Sequence, residues 1–429
     1  MSRRRTSAVL SIAMASVGLL AACGGESSGP PELIWYINPD PAPPADQEGP
    51  YGQPGIAEAC STDEYTITTQ TLPSDAGQQR IQLARRLAAG DSAIDLMSLD
   101  PPFTAEFANA GYLAELPADL QTSLKEQSLE GPTAAATWED QLVVAPFWAN
   151  TQVLWYRKSF AEKAGLDMTK PVTWKQIIDA SDKNDGTVGV QANKYEGYSV
   201  WINALIAGAG GSILSDTEKG KDATIDVDSD AGRAAAQVIE DLASSKAAES
   251  DLSVSNEGTV AVPFVSDKGA FQVNWTFVWG ANQADEAIAK DLGWARYPQT
   301  VEGTESAPPL GGIGIGVNKA SDHVEEALKA VECLTSGENQ GTYALQTGNM
   351  PASAEGYDQA DLKEAYPADL LQLFQESVDA AAPRSVSPYW ADVSSAIQSS
   401  WHPADAVTQE TPKRSATFLS DVMQGRTLL

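Results

Sequence analysis

Aromatic residues recur beside amides and acids in this chain, at Trp148-Ala149-Asn150, Asn193-Lys194-Tyr195-Glu196 with Trp201, Asn274-Trp275 and Tyr389-Trp390. A sugar presents apolar C–H faces fringed by hydroxyls. A flat ring covers the faces, while carboxylate, amide and guanidinium groups pair with the fringe. The pattern points to carbohydrate binding. A tryptophan alone is as readily a core residue, and Trp155, inside "VLWY", is read as core. Trp148 and Trp275 stand beside polar side chains at strand ends and are read toward a site. Asp100 closes the apolar run "AIDLMSL", placed here in a parallel sheet, and ligands of open α/β sheets gather outside the carboxyl ends of strands.

Other chemistries fare worse. The two histidines, His323 and His402, stand in polar, helix-edge contexts, and neither accompanies a G-x-S-x-G nucleophile motif. No acidic run has calcium-loop spacing, so neither a metal nor a cofactor is expected. A glycosidase needs only two carboxylates. With 58 acidic residues a pair is available somewhere, so hydrolysis stays open as the enzyme alternative.

Those residues must be carried by an exported chain. Arg3, Arg4 and Arg5 precede the apolar stretch "AVLSIAMASVGLLAA" and then Cys23, an order that reads as a signal peptide over 1–22. The small residues before Cys23 predict diacylglyceryl attachment there, with 23–31 as a flexible tether. No later apolar run reaches spanning length, which predicts a protein on the extracytoplasmic face of the cell membrane, attached through lipid only. A formal charge of −30 repels phosphate backbones and excludes nucleic acid as a partner. Cys60 and Cys333 then remain as an even pair in an oxidising compartment, read as one disulfide, with two separate buried thiols as the alternative.

Length predicts two or three domains. "ELIWYIN", "YTITTQTL" and "AIDLMSL" read as strands. Between them lie a Pro-rich stretch, a short helical "IAEAC", and a helix over "DAGQQRIQLARRLAAGD". In that helix Ile81, Ala84, Leu87 and Ala88 share a face and Gly90 ends it. "TAEFANAGYLAEL" is predicted helical. The result is a βαβαβ unit with a mostly parallel sheet. "PPLGGIGIGVNK" predicts a strand with Gly312, Gly314 and Gly316 on one face, where backbone meets another element or a ligand closely. Its glycine spacing is not a dinucleotide fingerprint. "VEEALKAVECLTS" is an amphipathic helix, and the rest is helical.

The leader, the βαβαβ opening and the later apolar segments resemble ABC-importer solute-binding proteins of the large, maltose-binding-protein-like class. The segments "QRIQLARRLAAGDSAIDLMSLDPPFTAEFANAGYLAEL", "NTQVLWYRKS", "VQANKYEGYSVWINALIAGAGGSILS", "FQVNWTFVW", "LGGIGIGVNK" and "AVECL" are similar to the mycobacterial LpqY-type trehalose-binding lipoproteins. The resemblance implies an α/β, two-lobed periplasmic-binding-protein-like (type II) fold with a hinged cleft between the lobes. It implies lobes of about 32–148 with 298–352 and 149–297 with 353–429. Its sugar contacts fall on Asp100, Asn150, Glu257, Trp275 and Arg384, then on Gln79, Tyr195, Asn274, Gly311 and Gly312, and its paired cysteines on Cys60 and Cys333. The expected ligand is an α-glucosyl disaccharide, trehalose first and maltose or a maltodextrin second; the alternative of another class is a surface glycoside hydrolase using Asp100 and Glu257. The expected partners are that sugar and the transmembrane subunits of an ABC permease, with the receptor itself a monomer. This chain departs from the resemblance in its Pro-rich stretch after "WYIN", a segment that should line the cleft, and in a shorter loop around 297–308.

Overall fold

The computed structural model describes residues 29–45 and 48–428. The signal peptide and Cys23 lie outside the described residues. Three strands open the fold: β1 (Glu32–Ile37), then helix α1 (Gly52–Ala59), β2 (Thr66–Thr71), helix α2 (Ala76–Ala88) and β3 (Leu96–Leu99). β1 pairs parallel with both β2 and β3, as the alternation of strands and helices predicts. Asp75 caps α2 by accepting a bond from the Gln78 N–H at 2.8 Å, and Gly90, at φ +69°, follows its end. The buried stripe of α2 is Gln79, Leu83 and Leu87 rather than the expected face: Ala88 is exposed and Ile81 lines a surface cavity with Phe103. The predicted helix after Thr104 is also shorter, Thr104–Asn109. Gly111 turns the chain at φ +71°, and Leu113 pairs in a β-bridge with Asn318.

β4 (Ala145–Arg157) organises the whole molecule. Its thirteen residues carry two sets of neighbours, because almost all its side chains are buried on both faces. β5 (Thr187–Gly189), β6 (Gly269–Trp275), β7 (Leu292–Ala295) and β8 (Leu310–Val317) complete the sheet in the order β2-β1-β3-β8-β4-β6-β5, with β7 also on β4. β8 pairs antiparallel with residues 145–151 of β4, and β6 and β7 flank residues 152–157. β7 and β8 thus run antiparallel along β4, leaving the sheet only for the loop between them.

The glycine-rich strand is β8, and its glycines meet protein. A Cβ on Gly314 would stand 2.6 Å from Val144, and one on Gly312, at φ +130°, would stand 2.3 Å from the Trp148 carbonyl oxygen. A side chain at either position would break the packing of β8 on β4 and the chain before it.

Among the other helices are α3 (Glu196–Ala207), α4 (Glu257–Phe264), α5 (Val324–Leu334), α6 (Gly337–Thr347) and α7 (Trp390–Trp401). Cys60, at the end of α1, and Cys333, in α5, form the expected disulfide with Cα atoms 5.7 Å apart. Trp155 is fully buried, as expected for core. No helix among the described residues is long and apolar enough to cross a membrane.

Candidate functional site

Strand ends and helix starts meet around a cleft of about 290 Å³ beside the middle of β4. Of the ten site residues expected from sequence, nine line it: Gln79, Asp100, Asn150, Tyr195, Glu257, Trp275, Gly311, Gly312 and Arg384. The tenth, Asn274, is fully buried outside the wall. Its Nδ2 donates to the Glu257 carbonyl at 3.0 Å, and its Oδ1 accepts from the Trp275 N–H at 3.0 Å. It fixes the start of α4 and the end of β6, and so holds two wall residues in place rather than touching what they hold.

Four carboxylates stand at the wall, Asp75 at the cap of α2 and three others placed there by different local causes. Asp100 follows β3, where the Pro101-Pro102 pair stops the strand and starts a short 3-10 turn. Burial pushes its carboxyl up to about 6, against the pull of Arg384 and with the Glu196 charge adding to the rise. Glu257 is the first residue of α4, behind a capping box made by Asn256 and Thr259. Burial raises its carboxyl, and the nearby Tyr195 and Trp275 side chains oppose that rise. Glu196 opens α3 and is 9% exposed.

Arg384 joins two of these groups. One amino group donates to Asp100 Oδ1 at 2.9 Å and the other to Glu196 Oε1 at 2.9 Å, and the side chain is almost wholly buried. Its loop is set by the Ala382 N–H, which donates to the Pro308 carbonyl at 2.8 Å, and by Pro383, whose carbonyl accepts from Asn203.

The aromatic walls are Trp148, Trp275, Tyr195 and Phe277. Trp275 ends β6 and lies against Gly311, where an added Cβ would stand 2.8 Å from its six-membered ring. Gly311 is therefore required by the indole rather than by a turn. Two polar atoms of wall residues, Asn38 Oδ1 and Trp148 Nε1, are buried without a hydrogen bond inside the protein, while the Tyr195 hydroxyl faces the Glu257 carboxylate. Buried polar groups are rarely left unpaired, so Asn38 Oδ1 and Trp148 Nε1 are two positions whose partner the protein itself does not supply. Asn150 and Gln79 are already engaged. Asn150 Oδ1 accepts from the backbone N–H of Thr151 and from the Thr276 hydroxyl, and its Nδ2 donates to Asn349. Gln79 Nε2 donates to the Pro73 carbonyl. Each presents only its remaining amide capacity to the cleft.

Sequence reasoning read Trp148 toward the site and placed Glu196 in its aromatic–polar pattern without counting either among the sugar contacts, and it missed Asn38, Asp75 and Asn349, all on the wall. For Glu196 the signal was present, an acid opening an otherwise apolar helix. Asn349 carried none, since it follows an ordinary helix end. None of the described residues of the Pro-rich segment lines the wall, although Asn38, just before it, does. Asp40 stands behind, its carboxylate accepting from Gln53 and from the Tyr343 hydroxyl at 2.8 Å. Gln53 Nε2 also donates to the Asn38 carbonyl, and Asn349 Nδ2 to Tyr343 Oη. The segment thus supports the wall from outside it. Among the described residues no cluster of three His, Cys, Asp or Glu side chains could hold a metal.

The profile of bacterial extracellular solute-binding proteins matches residues 47–341. That family consists of binding receptors, which overturns the glycosidase alternative for Asp100 and Glu257. Among solved structures, the maltose-bound MalE3 of T. maritima superposes with a TM-score of 0.78 at 24% identity, over 92% of this chain and all of that one. The GacH receptor of Streptomyces glaucescens, solved unliganded and with acarbose, gives 0.74 at 21% identity over 92% and 98%. UgpB of Mycobacterium tuberculosis, in complex with glycerophosphocholine, gives 0.68 at 18% identity over 85% and 92%. The fold is thus the periplasmic-binding-protein α/β fold expected from sequence. It carries ligands as unlike as a sugar and a phosphodiester, so ligand class must be argued from the wall.

Proposed function

Because the chain belongs to the bacterial extracellular solute-binding protein family, we propose that it captures an α-glucosyl disaccharide, trehalose, by closing two lobes on it and delivers it to an ABC permease. The observation that carries this reading is the wall itself. Indole and phenol faces stand beside carboxylates, a guanidinium and polar atoms with no protein partner, in a cleft of about 290 Å³. That size suits a small ligand of two rings. Charge-assisted bonds from hydroxyls to Asp100 and Glu257 would reject analogues lacking those hydroxyls more strongly than shape does. Trehalose is preferred to maltose because the segments holding Asp100, Asn150, Tyr195 and Trp275 are those similar to trehalose-binding lipoproteins.

The lobes are residues 32–148 with 298–352 and residues 149–297 with 353–429, hinged where β4, with β7 and β8 alongside it, passes from one set of strands to the other. Ligand shifts the open–closed equilibrium by its contacts in the closed state alone.

One observation favours a second ligand. A neighbouring cavity of about 370 Å³ shares Asp75, Tyr195 and Glu196 with the cleft and could take further glucose units of a maltodextrin. Calorimetric titration of the chain from Gly24 onward with trehalose, maltose and maltotriose separates the readings. Trehalose is expected to bind most tightly and to be recovered unchanged. Tighter binding of maltotriose moves the assignment to maltodextrins, and no heat from any of the three ends the sugar reading.

Attachment through Cys23 belongs to the same proposal. Cys23→Ser is expected to shift the protein from the membrane fraction to the soluble one. A fatty-acid label that still marks the serine variant would overturn the anchor.

A further inference from the structure

Glu196 lies on the wall, yet both its carboxylate oxygens are already used. Oε1 accepts from Arg384 and from the Trp390 indole N–H, each at 2.9 Å, and Oε2 accepts from the Ser394 hydroxyl. Trp390 and Ser394 both belong to α7, so α3 and α7 hold this carboxylate between them. The carboxylate in turn grips one amino group of Arg384 and leaves the other aimed at Asp100, at the end of β3. Asp100 belongs to the first set of strands, and Glu196, Trp390 and Ser394 to the other side of the cleft. The guanidinium is thus the one group in this cluster bonded to both sides.

We propose that Glu196 is a positioning residue for the receptor: it holds Arg384 so that closing the cleft completes an Asp100–Arg384–Glu196 tie, and ligand affinity depends on that tie. The inference rests on the lobe-closure reading above. Its physical basis is the rigidity of the guanidinium. Arginine's planar fork can serve two carboxylates at fixed angles, but a free arginine side chain has many rotamers to lose. Glu196, fixed by two donors from α7, removes that loss before closure, so the bond to Asp100 forms without ordering cost. In the open form Asp100 faces water and needs no partner. In the closed form it is largely shielded, with its side chain 20% exposed here, and Arg384 is its charged partner, with Asp75 and Glu257 as further acids on the same wall.

A residue acting only through Arg384 has a distinctive signature. Glu196→Gln keeps the side chain's shape and removes its charge, and trehalose affinity is expected to fall at least tenfold. In an Arg384→Met background the same change is expected to cost nothing or to restore affinity, because Glu196 is then a stranded buried charge that glutamine relieves. A role confined to packing α3 on α7 would cost the same in both backgrounds. Equal losses in the two backgrounds, or no loss in the parent, would overturn the proposal.

If neither trehalose nor maltose binds the parent protein, the sugar reading fails while the tie remains testable. The radius of gyration of the ligand-free proteins, from small-angle scattering at low salt, is then compared. Parent protein more compact than both Glu196→Gln and Arg384→Met supports the tie, and indistinguishable radii overturn it.

Discussion

Arg384→Ala is expected to weaken disaccharide binding by about a hundredfold or more while leaving the ligand-free protein folded. Its hydrogen-bond partners are Asp100 and Glu196, 2.9 Å away on either side. Removing one member of a buried ion pair costs about 3–5 kcal/mol, because the other charge is left buried and uncompensated. Here two carboxylates would be stranded. In an open cleft water reaches both, so the cost falls on the closed, ligand-bound form and appears as lost affinity. A fall of the ligand-free melting temperature matching the loss of affinity would contradict this, since it would make Arg384 a general structural residue.

Trp275→Ala supplies the contrast. The indole offers a face to one pyranose ring, so its loss should weaken trehalose and maltose together and preserve their ratio. Arg384 offers donors that only a correctly placed second ring reaches, so its loss should also narrow the gap between the two sugars. Calorimetry on both variants reads the two ratios, and an unchanged gap in Arg384→Ala would remove it from linkage recognition.

The second large effect concerns stability. Cys60 and Cys333 are 273 residues apart in sequence, so their bond closes a very long loop in the unfolded chain. In the loop-entropy account such a crosslink stabilises by about 5 kcal/mol before strain. A Cys60→Ser, Cys333→Ser double variant should melt on the order of 10 °C lower. Its sugar affinity should stay that of the parent, because neither cysteine lines the cleft. An unchanged melting temperature would refute the stability assignment.

Alternating apolar and β-branched runs identified β1, β2 and β3, because a strand's two-residue period is written in consecutive side chains. The same local reading misjudged the buried face of α2. Ala84 and Ala88 have the right polarity for burial, but what covers a helix is decided by its neighbours, and there Gln79, Leu83 and Leu87 are the covered residues. It also ran a helix past Asn109, where Leu113 instead finds a β-partner more than two hundred residues away.

The site divides along the same line. Residue type was enough to mark Asp100, Asn150, Tyr195 and Trp275, because a sugar's requirements, flat faces and charged or amide acceptors, appear in sequence as particular residues side by side. The segments similar to known receptors added Glu257, Arg384 and Gln79, and they placed Asn274 on the wall, where the structure has it one layer behind. Export and the pairing of two cysteines likewise followed from order and count along the chain. Tertiary structure alone decided which polar atoms are free. Arg384 could have faced solvent, bridged the cleft or met only a ligand, and its two ion pairs depend on β3, α3 and the 382–384 loop meeting at one point. Asn349 and Asn38 reach the wall only because Asp40 and Tyr343 stand behind them. A chain's chemistry is local to its residues, but hydrogen-bond partners lie hundreds of positions apart, and no spacing along the sequence records those distances.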